Sequence, residues 1–533
     1  MAVELTSEQL AVTSSRLSEN EASRVINASV ADTINTSHEY ELNNSESLTF
    51  LYNLLYDDNS SLTKSDILSI LNSLKERENN LPFSLTERKE YTNVQGVRLP
   101  PSLSRKFYLE RSRIGNLSWF RNIPDSREHA LNSVNIVSFN TKTNFFRFKN
   151  FYSRLKSHIT HFQLRSLVVC GENISNGIFY PSSYYHDHNL EVVTSDNFGT
   201  HTHSDDHHNF FKIIRVMPDE QALSPDAMKL DCLIDSRTLK HHSNNRISSS
   251  ACSSKFLVNG TFEGGYILQN IEDPDNHYLV GEYFLTTAAD GITNHVSISK
   301  DDSELIIASN DAHIRFVDLS SSKITQFQLP FAVNCLAINH HNPNEYFIAA
   351  DDTNNFIIDR RAMTSESIDS FTSFRGHTDY GFGCDWSPTD ENILLSGNQD
   401  GTVRLWDRRM SHNCLFSWSS ALGSSAYDVA SEACGGPVRN CKFSYYGKHV
   451  VWAESLDHVG VLKVDDLHSD CDLVLPRVQS IDFIGKCIGL NMCPVDSGQG
   501  ERLIIGVNDC PLGGILNYEL EDSRKTLDFA FQF

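Results

Sequence analysis

The 533-residue sequence has no apolar run approaching the roughly 18 residues that a membrane-spanning helix needs. Its opening, MAVELTSEQLAVTSS, has neither a basic stretch nor an apolar core, so no secretory leader is expected. None of its 12 cysteines forms a Cys-x-x-Cys pair, which excludes zinc-knuckle and thioredoxin-type chemistry. Basic charge is scarce: 45 Lys+Arg against 68 Asp+Glu give a net charge of −23 and no long Lys/Arg run. Such a chain repels phosphate backbones, so neither nucleic acid nor a membrane is expected as a partner. P-loop, dinucleotide-binding and His-Glu-x-x-His patterns are absent as well, so no cofactor and no metal is expected. Scattered cysteines in apolar runs such as Leu167–Cys170 fit a reducing compartment, cytoplasm or nucleus.

What is present divides the chain into three parts. Residues 1–45 are rich in Ser, Asn, Glu and Thr and cannot bury enough apolar surface to offset chain entropy, so a disordered tail is expected. Residues 46–98 contain two short helical patterns. One is Leu48, Leu51, Tyr52, Leu55; the other is Ile67, Leu68, Leu71, Leu74, with Ser65 and Asp66 as caps. They read as helices packed on the main domain, as a partner-binding hairpin or as transient helicity in a tail. Residues 99–533 alternate short Val/Ile/Phe/Leu runs with Asn/Asp/Gly turns, the texture of an all-β sandwich, barrel or propeller.

Internal repetition decides among these. The segment Gly376–Arg409, GHTDYGFGCDWSPTDENILLSGNQDGTVRLWDRR, has a Gly-His pair, a Trp-Ser-Pro turn, a Ser-Gly-x-x-Asp-Gly turn and a terminal Trp-Asp in order. It resembles a complete WD40 repeat. Weaker copies end at Val317-Asp318, Ile358-Asp359 and Val464-Asp465, so the aligned aspartates step by 41, 48 and 58 residues. Strand-turn-strand patterns at 164–183, 255–271 and 502–520 bring the count to seven. The expectation is a seven-bladed WD40-type β-propeller, with polar loop insertions near 184–209 and 241–254.

The resemblance implies a buried tetrad of His377, Ser396, Asp400 and Trp406 bracing the best blade. A Ser/His/Asp set invites a hydrolase reading, but no nucleophile-elbow pattern accompanies it and a network between strands leaves no room for substrate. The chain therefore reads as non-catalytic. His186, His188, His201, His203, Asp205, Asp206, His207 and His208 lack a fixed ligand spacing and read as a solvated insertion rather than a metal site.

Three surfaces remain for protein or peptide partners. One mouth of the ring would present Asp379, Tyr380, Phe382 and Gln399, with His313 and Asn355 from equivalent copies, and suits a peptide or chain terminus. On the opposite face, Trp406-Asp407-Arg408-Arg409 matches the Trp-Asp-x-Arg box of WD40 receptors for cullin-4 ubiquitin ligases, and Ile358-Asp359-Arg360-Arg361 is an imperfect copy; Arg409 and Arg361 would be the contacts. The third is the C-terminal stretch Leu527–Phe533, where Phe529, Phe531 and Phe533 alternate. It reads either as a strand turned back on Gly514–Leu520 or as an aromatic tail that enters a partner. The run from Gly436 onward is similar to the last blades of a fungal WD40 group that includes a substrate receptor of the GID (CTLH) ubiquitin ligase. That similarity implies a ligase substrate receptor binding a peptide or protein N-terminus; a signalling or trafficking scaffold is the alternative outside ubiquitin chemistry.

Overall fold

The computed structural model describes residues 46–75, 83–84, 93–97, 99–117, 121–126, 129, 144–152, 164–171, 177–183, 210–218, 228–242, 245–273, 275–363, 371–420, 436–468, 476–495, 500–509 and 512–520. The expected tail 1–45, the insertion near 184–209 with its histidines, and Phe529, Phe531 and Phe533 lie outside these residues.

Among the described residues, seven antiparallel sheets make up the β part. Six are four-stranded and contiguous in sequence: blade 1 (169–235), blade 2 (247–284), blade 3 (293–328), blade 4 (333–374), blade 5 (381–419) and blade 6 (438–482). Within each of these the strands pair in chain order. The first strands of successive blades touch one another around the full circle, including blade 7 against blade 1. The molecule is therefore a closed seven-bladed propeller with those strands innermost, and closure removes the exposed edges that an open stack would leave.

Blade 7 is not contiguous. Its strands Lys486–Pro494, Glu501–Asn508 and Gly514–Leu520 are completed by Phe146–Tyr152, which pairs antiparallel with Gly514–Leu520. Phe83–Ser84 pairs beyond it. This clasp ties the beginning of the propeller to its end. It also corrects one reading: Gly514–Leu520 has strands on both sides, so a returning Leu527–Phe533 hairpin has no edge to join there.

Among the described residues, three helices precede the clasp: α1 (Glu46–Leu54), α2 (Lys64–Lys75) and α3 (Pro101–Leu117). The first two follow the apolar patterns. The cap of α2 is Thr63 rather than Ser65: the Asp66 N–H donates to Thr63 Oγ1 at 3.1 Å and the Thr63 N–H donates to Asp66 Oδ2 at 3.0 Å, a reciprocal capping box. The 17-residue helix α3 falls inside the stretch from residue 99 expected to be strand. Pro101 is preset for a first helical turn, and Leu103, Phe107 and Ile114 form one apolar stripe. These residues pack with Leu51, Leu54, Ile67 and Ile70 and with Ile484 and Leu512 of the propeller. Gln95 fixes the junction: its Nε2 donates to the carbonyls of Ile484 (2.8 Å) and Leu512 (2.7 Å). The helices thus sit over blades 6 and 7.

Two further corrections concern the blades. Residues 241–254 are not simply a loop insertion, because Ile247–Cys252 is the innermost strand of blade 2. Its serines look like loop residues but are buried: Ser248 donates to the Thr293 carbonyl of blade 3, and Ser250 donates to Asn259 Oδ1 at 2.8 Å. In blade 6 the alignment moves by two. Leu462 faces Val450 as Trp406 faces Leu394, so Leu462, not Val464, occupies the Trp406 position. Asp457, at φ +62°, stands where blade 5 has Gly401 at φ +79° and blade 3 has Ala312 at φ +61°. An aspartate tolerates that left-handed turn position better than most residues.

Candidate functional site

Blade 5 holds the tetrad in one continuous chain of hydrogen bonds. His377 Nδ1 lies 3.1 Å from Asp400 Oδ2, and its Nε2 lies 2.8 Å from Ser396 Oγ, which accepts the Trp406 indole N–H at 2.8 Å. Donor and acceptor roles close if Nδ1 carries the proton, since a carboxylate only accepts. Thr402 donates to Asp400 Oδ1 at 2.7 Å. Burial lowers the His377 pKa against the pull of Asp400 and keeps the ring neutral. For Asp400, the hydrogen bonds of His377 and Thr402 and the charge of Arg404 outweigh burial and hold the carboxyl below its usual range. Ser396, Asp400 and Trp406 are fully buried, so this Ser/His/Asp set braces strands and no substrate can reach it.

The mouth residues have mixed fates. Asp379, Gln399, Asn355 and Phe382 are buried, while Tyr380 and His313 are half-buried. Asp379 is covered by the chain itself: Ser126 Oγ donates to Asp379 Oδ2 at 2.7 Å, and Thr378 Oγ1 donates to the Ser126 carbonyl. Residues 121–126 therefore lie over blade 5, next to the helices over blades 6 and 7.

A ring of residues, of which only Phe382 is among the sequence-based candidates, marks the start of the innermost strands. In six blades the innermost strand carries a bulge near its start. The extra residues are Ser248, Asn294, Asn334, Phe382, Arg439 and Ile488. A bulge releases its residue from the ladder and re-aims the side chain. Three of them reach the next blade in the same way: Ser248 donates to the Thr293 carbonyl, Asn294 to the Val333 carbonyl (3.1 Å) and Asn334 to the Gly381 carbonyl (3.0 Å). Asn334 also donates to Asp351 Oδ1 at 2.8 Å, and burial raises the Asp351 pKa. The signal in the sequence was faint: Asn294 and Asn334 hold the same place in adjacent repeats without any wider motif.

On the opposite face, the Asp-x-Arg boxes are exposed turns. Asp407 accepts from Arg409 Nε (2.9 Å) and Nη2 (2.6 Å), and Asp359 accepts from Arg361 in the same way at 3.0 and 2.6 Å. The Arg409 and Arg361 side chains are 69% and 64% exposed. A third box, Asp235–Arg237 in blade 1, has the same geometry; unlike Ile358-Asp359 it does not close a repeat recognisable in the sequence. The intervening arginines tie blades together: Arg408 binds Glu345 of blade 4, and Arg360 binds Glu304 of blade 3.

Among the described residues no group of three or more His, Cys, Asp or Glu is arranged to hold a metal ion, and no helix is long and apolar enough to cross a membrane.

Comparison with known proteins agrees with this geometry. The family "WD domain, G-beta repeat" matches residues 369–407, the tetrad-bearing repeat. The chain is 35% identical over 78 residues to histone acetyltransferase type B subunit 2 of Aspergillus oryzae, covering 14% of this chain and 18% of that protein. It is 30% identical over 137 residues to the ribosome biogenesis protein YTM1 of Pyricularia oryzae, covering 25% and 28%. A third similarity, 34% over 85 residues, is to the THO complex subunit 6 homolog of Danio rerio, covering 16% and 24%. The chain thus spans less than a third of the length of each of these relatives. With seven sheets closed into a ring and a matched repeat at its best-formed blade, the chain is a WD40-repeat, seven-bladed β-propeller, a fold that generally serves as a protein-interaction platform.

Proposed function

We propose that this propeller is a non-catalytic substrate receptor of a ubiquitin ligase of the GID (CTLH) kind. Its mouth takes a peptide or protein N-terminus, and its C-terminal Phe529, Phe531 and Phe533 dock on the ligase. One observation carries the assignment of the tail. The last sheet is completed by Phe146–Tyr152, so the sequence beyond Leu520 is not required to finish the fold. An alternating aromatic terminus released from that duty suits insertion into a partner. The three relatives named above are not ligase subunits by name, so the reading rests on this feature and on the resemblance of the last blades. Deleting residues 527–533 is expected to leave the melting temperature unchanged while ligase subunits no longer co-purify. Equal capture of ligase subunits by both chains would end the proposal.

A second reading is favoured by the paired boxes on the opposite face. Arg361 and Arg409 lie on adjacent blades, both exposed, as a cullin-4 adaptor contact would need. It predicts that Arg409→Ala abolishes adaptor binding with an unchanged melting temperature. If neither ligase is captured by the full chain, a signalling or trafficking scaffold is the reading that stands.

A further inference from the structure

The rim residue Arg439 departs from the pattern of its ring. Ser248, Asn294 and Asn334 each satisfy themselves on the neighbouring blade, whereas Arg439 turns back toward blade 5. There its Nη1 donates to Gln399 Oε1 and its guanidinium lies 5.5 Å from the centre of the Phe382 ring. The residue is 5% exposed, and its Nε has no hydrogen-bond partner. Among the described residues no carboxylate forms an ion pair with it. Arg165, also 5% exposed, brings a second positive charge close enough to act on it; burial and that charge drive the Arg439 pKa down, with Asp379 opposing. The Arg165 backbone is fixed there by Asn440, whose Nδ2 donates to the Arg165 carbonyl at 2.7 Å.

A guanidinium stays charged in proteins. Taking that charge out of water without a counter-charge is strongly unfavourable, and a second cation nearby adds to the cost. The aromatic face and one neutral amide offset only part of it. A planar fork with a free N–H matches the geometry of a carboxylate or a phosphate.

We propose that the inner rim at Arg439, with Arg165, is an oxyanion site that receives the carboxylate or phosphate of a bound peptide. This deepens the reading of the mouth as a peptide site and rests on that part of it alone; it does not depend on a ligase. Phe382 and Gln399 position the guanidinium, and Arg439 Nε–H is the donor left for the ligand. The polar rim of blades 2 to 4 is already bonded blade to blade, so specificity for the anion falls to this sector.

The experiment uses the full chain and two probes, inorganic phosphate and N-acetylglycine, in chloride buffers of matched ionic strength. Calorimetry and the arginine Nε–H resonances of the labelled protein report binding. The expected result is that at least one anion binds and shifts one buried Nε–H signal, and that Arg439→Gln weakens binding about tenfold or more, as loss of a charged hydrogen bond does. Arg439→Lys, which keeps the charge but not the fork, weakens it less. Binding of N-acetylglycine alone identifies a carboxylate, and binding of phosphate alone a phosphopeptide. No binding of either anion to the wild type overturns the proposal, as does equal affinity in a folded Arg439→Gln chain. Should that variant fail to fold, the wild-type resonance shift decides. A chain that co-purifies with ligase subunits but binds neither anion loses this inference alone.

Discussion

Arg111 on α3 and Asp457 in the blade 6 turn form a buried ion pair, with Nη2 donating to Oδ1 at 2.8 Å and Nε to Oδ2; their side chains are 4% and 9% exposed. Asp457 also accepts the Gly485 N–H at 2.8 Å, and Phe50 and Phe107 lie against the guanidinium at 5.1 and 5.7 Å. The pair joins the helical segment to the propeller at a position where blade 5 needs only glycine.

Arg111→Met leaves Asp457 buried with its main partner gone, which costs about 3–5 kcal/mol. Urea unfolding measures it. Adding Asp457→Gly removes the orphaned charge and suits φ +62°, so the double variant recovers most of the loss. An unaffected single variant would mean that α3 is not docked by this pair.

Trp406 both fills the blade 5 core and donates to Ser396. Trp406→Ala is expected to cost about 3–5 kcal/mol through the cavity it leaves. Trp406→Phe keeps most of the volume and loses the N–H, so it costs roughly 1–2 kcal/mol. Chemical denaturation separates the two; a Trp406→Phe chain as stable as the wild type would mean that the hydrogen-bond chain contributes nothing beyond packing.

His449 is 5% exposed, sits against Phe145 and Phe146 at 5.0 and 5.6 Å, and has its pKa lowered to about 4 from an ordinary 6.5, first by burial and then by Lys463 and Lys448. Between those two values the unfolded chain binds the proton and the folded chain does not, so stability rises with pH across that window and falls on acidification. The contribution is of order 3 kcal/mol at most. Unfolding free energies at pH 4.5 and 7 should lie closer together in His449→Gln than in the wild type. An unchanged difference would remove this histidine from the acid sensitivity.

Much of the propeller was legible because one repeat kept its polar tetrad, and its period carried over to blades 3 and 4. Legibility failed where burial ran against composition. The serines of Ile247–Cys252 read as loop because the partners that let them be buried, Thr293 of blade 3 and Asn259 of the adjacent strand, leave no local apolar pattern. Val464-Asp465 resembles the closing Trp-Asp pair although Leu462 holds the Trp position, which shifts the blade 6 alignment by two. The strand Phe146–Tyr152 gave no sign of its role, since its partner lies more than 360 residues away and no local period encodes so distant a pairing. Of the residues expected at the mouth, Asp379, Asn355, Phe382 and Gln399 are buried instead of exposed, because side-chain type alone does not show what packs over them. The bulge that turns Arg439 toward the rim is a backbone feature that side-chain patterns do not carry.

The clasp of blade 7 bears most of the account, because the completion of the last sheet and the docking role proposed for residues 527–533 both depend on it. Arg147 and Glu519 face each other across that strand pair. In a chain carrying Arg147→Cys and Glu519→Cys, mild oxidation followed by proteolysis and mass spectrometry should recover the two peptides joined through the introduced cysteines. A folded double variant whose two introduced cysteines never join each other would contradict the clasp as described.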